Sequence, residues 1–146
     1  EDEHSCFSDN THRDVWLNAE GVSNSYYGDY AGYDSTLDGT DNETTNSVNG
    51  YGFDDYLEEK GLSNLNEQIK VALTNTETEY TKIDTQARAG SPFDVLIMDA
   101  QRNDTNPIST TIGALQGQSN AFNAMADALN LEQVNLDETT DAFKEE

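Results

Sequence analysis

Apolar residues in this chain recur at helical spacing in separate stretches, each opened or closed by a recognisable signal. Val15, Ala19, Val22 and Tyr26 follow one another at spacings of four, three and four, which places them on one face of a helix. Thr11 is expected to cap that helix, with Asp14 completing a capping box, and Gly28 and Gly32 to end it. A second helical region runs from about Phe53 to Lys60, breaks at Gly61 and resumes near Ser63 or Asn64, with Glu67 as its capping partner. Its buried face reads Leu65, Ile69, Leu73, Thr76, Tyr80 and Ile83, although the run TNTETEYT lowers helix propensity through its β-branched residues. Ser91, Pro92 and Asp94 predict the start of a short helix through Leu96 and Met98, with Asp94 as cap partner of Ser91. Asn106 and Pro107 repeat the signal for a longer helix lined by Ile108, Ile112, Leu115, Phe122, Met125 and Leu129. Ala114, Ala121, Ala124, Ala126 and Ala128 surround that stripe and allow neighbouring helices to approach closely.

Between the first two helical regions lies YGDYAGYDSTLDGTDNETTNSVNGYG, rich in Gly, Asp, Asn, Thr and Tyr and without sustained period. Loops of this length are uncommon in compact domains, and the five tyrosines from Tyr26 to Tyr51 argue against simple disorder. A long loop with hairpin character is expected. The fold class that results is all-α: an antiparallel helical bundle with one long Gly/Asp/Tyr-rich loop and no parallel β pattern.

Composition qualifies this picture. Leu, Ile, Val and Phe supply 27 of 146 residues and the formal net charge is −22, values on the disordered side of the usual compositional line. The helical periodicity outweighs them, so an ordered chain is expected, but one whose sparse core is loose or is completed by a further segment. The acidity excludes nucleic acid as a natural partner, since only seven basic residues offset 29 acidic ones, and it repels an anionic membrane. Cations are the natural small partners of such a field, although most individual carboxylates simply solvate the surface. No run approaches the roughly 18 consecutive apolar residues that span a bilayer. Cys6 is alone and is read as a buried free thiol.

The chemistry concentrates at the start of the chain. His4 to Asp14, HSCFSDNTHRD, holds two histidines, the cysteine, two aspartates and three hydroxyl residues in eleven positions beside Glu1 and Glu3. Because this density begins at the first residue, the chain is read as the C-terminal part of a larger protein. Glu1 and His4 are three apart, so on a helix they project from one face, as in carboxylate-bridged iron sites of bundles. Ser8 and Asp9 precede a helix N-terminus, where free backbone donors and the macrodipole bind anionic groups, and are the candidate cofactor-binding residues. Capping accounts for Thr11 and Asp14 but not for two histidines in one segment, so Glu1, His4, Asp9 and His12 are the candidate metal ligands. Imidazole and carboxylate suit iron, with zinc as second choice. Calcium is disfavoured: Asp34, Asp38 and Gly39 match positions of a calcium loop, but Thr36 and Thr45 stand where ligands are required. Tyr26, Tyr27, Tyr30 and Tyr33 could line a pocket, although packing of the loop accounts for them as well.

Two separated segments carry a family resemblance. EHSCFSDNTHRD followed by a helix, YYGDY and NGYGFDDYL, and then SPFDVLI with NPISTTIGALQGQSNAFNAMADALNL some ten residues on, resemble the C-terminal half of the imelysin-like family of bacterial cell-envelope proteins. The resemblance implies that residues 1–146 form the C-terminal helical-bundle half of such a protein, secreted or lipid-anchored in the periplasm or at the outer membrane. It implies a role in iron uptake, with the N-terminal half, iron or an iron-containing ligand, and other envelope proteins as partners. The family's Gly-x-His-x-x-Glu signature belongs to the N-terminal half and is absent here, so part of any metal site lies outside this chain. The family's name also carries a metal-dependent peptidase as the alternative activity, and a noncatalytic interaction module is the third reading. Neither His-Glu-x-x-His nor Gly-x-Ser-x-Gly is present, so catalytic residues are not assigned.

Overall fold

The computed structural model describes Ser5 and residues 8–31 and 47–131. Among them are five helices: α1 (Thr11–Tyr27), α2 (Phe53–Glu59), α3 (Ser63–Arg88), α4 (Phe93–Ala100) and α5 (Pro107–Ala128). Two short strands, β1 (Asp29–Tyr30) and β2 (Val48–Asn49), pair antiparallel with Asp29 opposite Asn49 and Tyr30 opposite Val48. The loop therefore has the expected hairpin at its base. No described helix is long and apolar enough to cross a membrane.

Two apolar clusters place the helices. Tyr26, Leu57, Ile69, Leu73 and Met125 form one, with Val22, Leu65, Phe122 and Leu129 packed against it. Ile83, Phe93 and Leu96 form the other, joined by Val15, Tyr80, Ile97 and Ile108. The first gathers the C-terminal ends of α1 and α5 with the N-terminal end of α3, and the second gathers the opposite ends. α3 thus runs antiparallel to both α1 and α5, and packs most extensively against α5. Each fully buried aliphatic side chain contributes about 1.5–3 kcal/mol.

Polar residues make up much of the interior, which is how so few large apolar groups suffice. Beside nine buried hydrophobic residues stand Thr11, Ser23, Asn66, Thr76, Asp84, Asn106 and Thr111. Their cost is small only where they find partners. Asn66 accepts from the Tyr26 hydroxyl (2.7 Å) and donates to the Glu58 carboxylate (2.6 Å) and the Asp54 carbonyl (3.2 Å), tying α1, α2 and α3 together. Burial, followed by the nearby Asp54 charge, pushes the Tyr26 phenol far above its ordinary range, so it stays a donor. Thr76, Thr78 and Thr81 donate to the carbonyls of Ala72, Thr74 and Glu77 one turn back, which lets the threonine-rich run remain helical.

Several terminal signals act differently from expectation. Asn10, not Thr11, occupies the N-cap of α1, and Thr11 is a buried first-turn residue that accepts from the Ser5 amide at 3.1 Å. Ser63 donates to Glu58 at 2.5 Å and leaves Glu67 without a capping role. Ser91 closes α3: its amide bonds the Gln86 carbonyl while the Gly90 amide bonds Ala87, with Gly90 at φ 103°. That arrangement moves the start of α4 to Phe93 with Pro92 as N-cap, while the Asp94 carboxylate accepts from the Val95 amide. Asn106 behaves as read, accepting from the Ile108 amide (2.9 Å) ahead of Pro107 and also donating to Asp99 (2.8 Å). On α5, Ile112 and Leu115 are exposed while Thr111 is buried, because its hydroxyl is satisfied by the Pro107 carbonyl at 2.6 Å.

The ends of α1 and α2 meet backbone to backbone. A Cβ on Gly52 would lie 2.3 Å from the Tyr27 carbonyl carbon, and one on Gly28, at φ 68°, would lie 2.7 Å from that of Tyr51. The Gly50 amide bonds the Gly28 carbonyl (3.1 Å) and the Asp29 carboxylate (3.2 Å), closing the hairpin base onto the same crossing.

Gly52→Ala is expected to cost about 3 kcal/mol or more in urea unfolding, since the backbone must shift. Gly113→Ala, in open space within α5, should instead stabilise by about 0.5–1 kcal/mol. A second expectation concerns pH. Bonds from Lys82 (2.6 Å) and Thr110 (2.6 Å) hold the Glu79 carboxyl below its ordinary value of 4.5. A depressed folded value contributes stability above the unfolded value and loses it as pH falls through the folded one. Glu79→Gln should therefore be less stable than the parent by about 1 kcal/mol near neutral pH, with the two melting curves converging as pH falls below 4.5 and through the lowered folded value.

Candidate functional site

The ligand-rich segment predicted from sequence is described in part. Glu1, His4 and Cys6 lie outside the described residues, as do Tyr33 and the calcium-like loop from Asp34 to Thr45. Ser8 and Asp9 are exposed just ahead of α1. The Ser8 hydroxyl and amide both bond the Ser5 carbonyl at 3.1 Å, and Asp9 takes a left-handed backbone at φ 50°. Ser5 in turn donates its hydroxyl to Asp14. A tight, locally bonded turn thus delivers the chain into α1. His12 and Arg13 stand on one face of the first turn of that helix.

That face meets the C-terminal part of α3. His12 is largely buried, with Nε2 3.8 Å from Oδ1 of Asp84, a residue itself only 9% exposed. Arg13 approaches Oδ2 of Asp84 at 3.5 Å, and Arg88, one turn beyond Asp84 on α3, approaches the same oxygen at 3.6 Å. Arg13 also lies over the Trp16 ring, 4.8 Å from its centroid. These ion pairs are longer than a good charge-assisted hydrogen bond. His12 Nδ1 and Asp84 Oδ1 are buried with no hydrogen-bond partner. Unsatisfied buried polar atoms carry a desolvation cost of about 1–3 kcal/mol each, so two of them on adjoining residues mark a place where a further group would be stabilised.

Of the predicted ligands, the structure therefore brings His12 against a carboxylate that sequence reading passed over. Asp84 was hidden because it stands in a helix rich in Thr and Glu, where a lone aspartate reads as solvated. Its spacing of four from Arg88 was the available signal. Among the described residues no group of three or more His, Cys, Asp or Glu side chains is gathered as a metal site. The pair fits a metal by ligand type and by its unpartnered lone pairs, but two arginines compete for the same carboxylate, so these residues alone supply at most part of a donor set.

Apart from this cluster, an open groove of about 530 Å³ lies between α1, α2 and α5. Leu17, Val22, Tyr26, Phe53, Phe122 and Met125 line most of it, and Leu17 and Phe53 are exposed there. Its character is apolar, with Asn18 and Ser25 at its edge. Among the described residues, Tyr26 is thus the one predicted pocket tyrosine that reaches this groove, while Tyr27 and Tyr30 are half-buried elsewhere.

Comparison with known proteins adds one positive finding. The family model described as Imelysin (Peptidase_M75) matches residues 1–122, which takes in the turn ahead of α1, the hairpin, α3, α4 and most of α5. No curated protein and no solved structure matches the chain.

Replacing Asp84 tests how far the cluster supports the fold. Asp84→Ala leaves His12 and Arg13 facing a void and is expected to cost about 1–3 kcal/mol in chemical unfolding. Arg88→Gln, at a side chain 60% exposed, should change stability by less than about 1 kcal/mol.

Proposed function

The chain belongs to the imelysin family, and on that premise we propose that it is the C-terminal helical part of a cell-envelope binding protein serving bacterial iron uptake. In this reading it contributes part of a site for iron or an iron-containing ligand, completed by the protein's N-terminal half. The observation that carries the proposal is the pairing of His12 with Asp84, both bearing buried atoms that lack a partner. Imidazole and carboxylate are donors that hold iron, and zinc as second choice. Ser8 and Asp9 sit one turn away at the entrance to α1. The −22 charge raises the local concentration of cations without selecting among them. A location in the periplasm or at the outer membrane follows from the same family premise. The peptidase alternative rests on the family's description alone, and turnover of a protein substrate is the property that separates it from binding.

The test is calorimetric titration with iron and with zinc, on this chain and on the same chain joined to its upstream sequence. Saturable iron binding that His12→Ala weakens about 10- to 100-fold is expected, with the joined protein binding more tightly. Equal affinity in parent and His12→Ala would remove this pair from the site. Absence of binding in both forms would overturn the metal reading and leave recognition of another envelope protein in its place.

A further inference from the structure

The cluster around Asp84 holds more positive charge than it neutralises. Two of the chain's three arginines converge there, from α1 and from the end of α3, on a single carboxylate oxygen. This happens in a protein whose 29 acidic residues offer many other partners. Neither guanidinium is used up by the contact. Each carries five donors, yet at 3.5 and 3.6 Å both approaches are longer than a good hydrogen bond, and neither guanidinium makes one among the described residues.

Exposure runs in a definite order across the group. Asp84 lies beneath with a side chain 12% exposed, Arg13 is 33% exposed and Arg88 60% exposed, so the two forks form a rim over a buried carboxylate. Because both guanidinium nitrogens lie within 3.6 Å of one oxygen, they are no more than about 7 Å apart. Two oxygens of one carboxylate or phosphate group, each accepting a bond of about 2.8 Å, span such a gap. Trp16 beneath Arg13 restricts the orientation of that fork before any ligand arrives. The His12 ring lies beside Asp84 through Nε2, and its Nδ1 is buried without a hydrogen-bond partner.

We infer that Arg13 and Arg88, seated on Asp84 with His12 alongside, form a binding site for an oxyanion, bridged between the two guanidinium forks. It shares His12 and Asp84 with the metal proposal, but its donors are the arginines, so the two are tested separately. Asp84 is the positioning residue, holding the forks within reach of each other. A planar carboxylate matches the fork geometry bidentately, and a phosphate offers the same oxygens.

Trp16 is the chain's single tryptophan and lies in contact with Arg13, so its fluorescence reports on the site directly. The full chain is titrated with metal-free citrate and, separately, with inorganic phosphate, each against sodium chloride at matched ionic strength. A saturable change in Trp16 emission with citrate or with phosphate is expected, and comparison of the two identifies carboxylate or phosphate as the preferred chemistry. Arg13→Gln and Arg88→Gln should each weaken binding at least tenfold. Arg88→Lys, which keeps the charge near Asp84 but not the fork, should fall between parent and Arg88→Gln. Lys60→Gln, at a side chain over Tyr56, should bind as the parent does. If neither anion produces a saturable change beyond that of chloride, or if the arginine variants that remain folded by circular dichroism bind as tightly as the parent, the inference is overturned. Because no metal is present in this experiment, its failure leaves the iron titration unaffected, and the reverse holds as well.

Discussion

The close approach of two glycines governs the arrangement of this bundle. Gly28 ends α1 and Gly52 begins α2, and their backbones pass at distances that admit no side chain. With those ends fixed against each other, Tyr26 is set two residues back at the depth where its hydroxyl meets Asn66 on α3. Asn66 then fixes α2 through Glu58 and the Asp54 carbonyl. Three helices are located by one crossing and one amide side chain. The larger apolar cluster fills the space that this framework encloses.

The second end of the bundle is organised differently. Ile83, Phe93 and Leu96 supply a small apolar cluster, and the positions around it are held by polar contacts: Thr110 on Glu79, Asn106 on Asp99, and the charged group at Asp84. Such contacts are directional and specify geometry, whereas their net contribution to stability is modest. This end also collects the groups able to recognise a ligand. The division between a packed end and a polar end is the physical basis for placing binding chemistry at the start of α1 rather than in the apolar groove.

Most helices were legible in the sequence because their signals act locally. The stripe from Val15 to Tyr26, the break at Gly61 and the Asn106 to Pro107 start each depend on neighbouring residues alone, and each is found in place. The family and the all-α class were legible for related reasons, the first from ordered motifs and the second from period. Errors arose where a residue had two uses. Ser91 could cap a following helix or close a preceding one, and the left-handed Gly90 beside it favours the latter. Thr111 and Ile112 exchanged the burial that hydrophobicity assigns them, because a hydroxyl bonded to its own helix can be buried at little cost. Of the candidate site, His12 was found from composition, but Asp84 was not: its burial arises from the crossing of α1 over α3, which no local pattern encodes.

The two separate clusters have a consequence for how this protein breathes. Among the described residues, α3 is the one helix with fully buried side chains in both clusters, and the stretch between them is occupied mainly by threonine and glutamate rather than by large apolar groups. Amide exchange should therefore be slowest near Ile69 and Leu73 and faster toward Ile83, with the polar end opening as a local unit before the whole chain unfolds. A bound ligand at that end would act on the more weakly protected of the two units, so that occupancy could be recorded as a slowing of exchange confined to one half of a single helix.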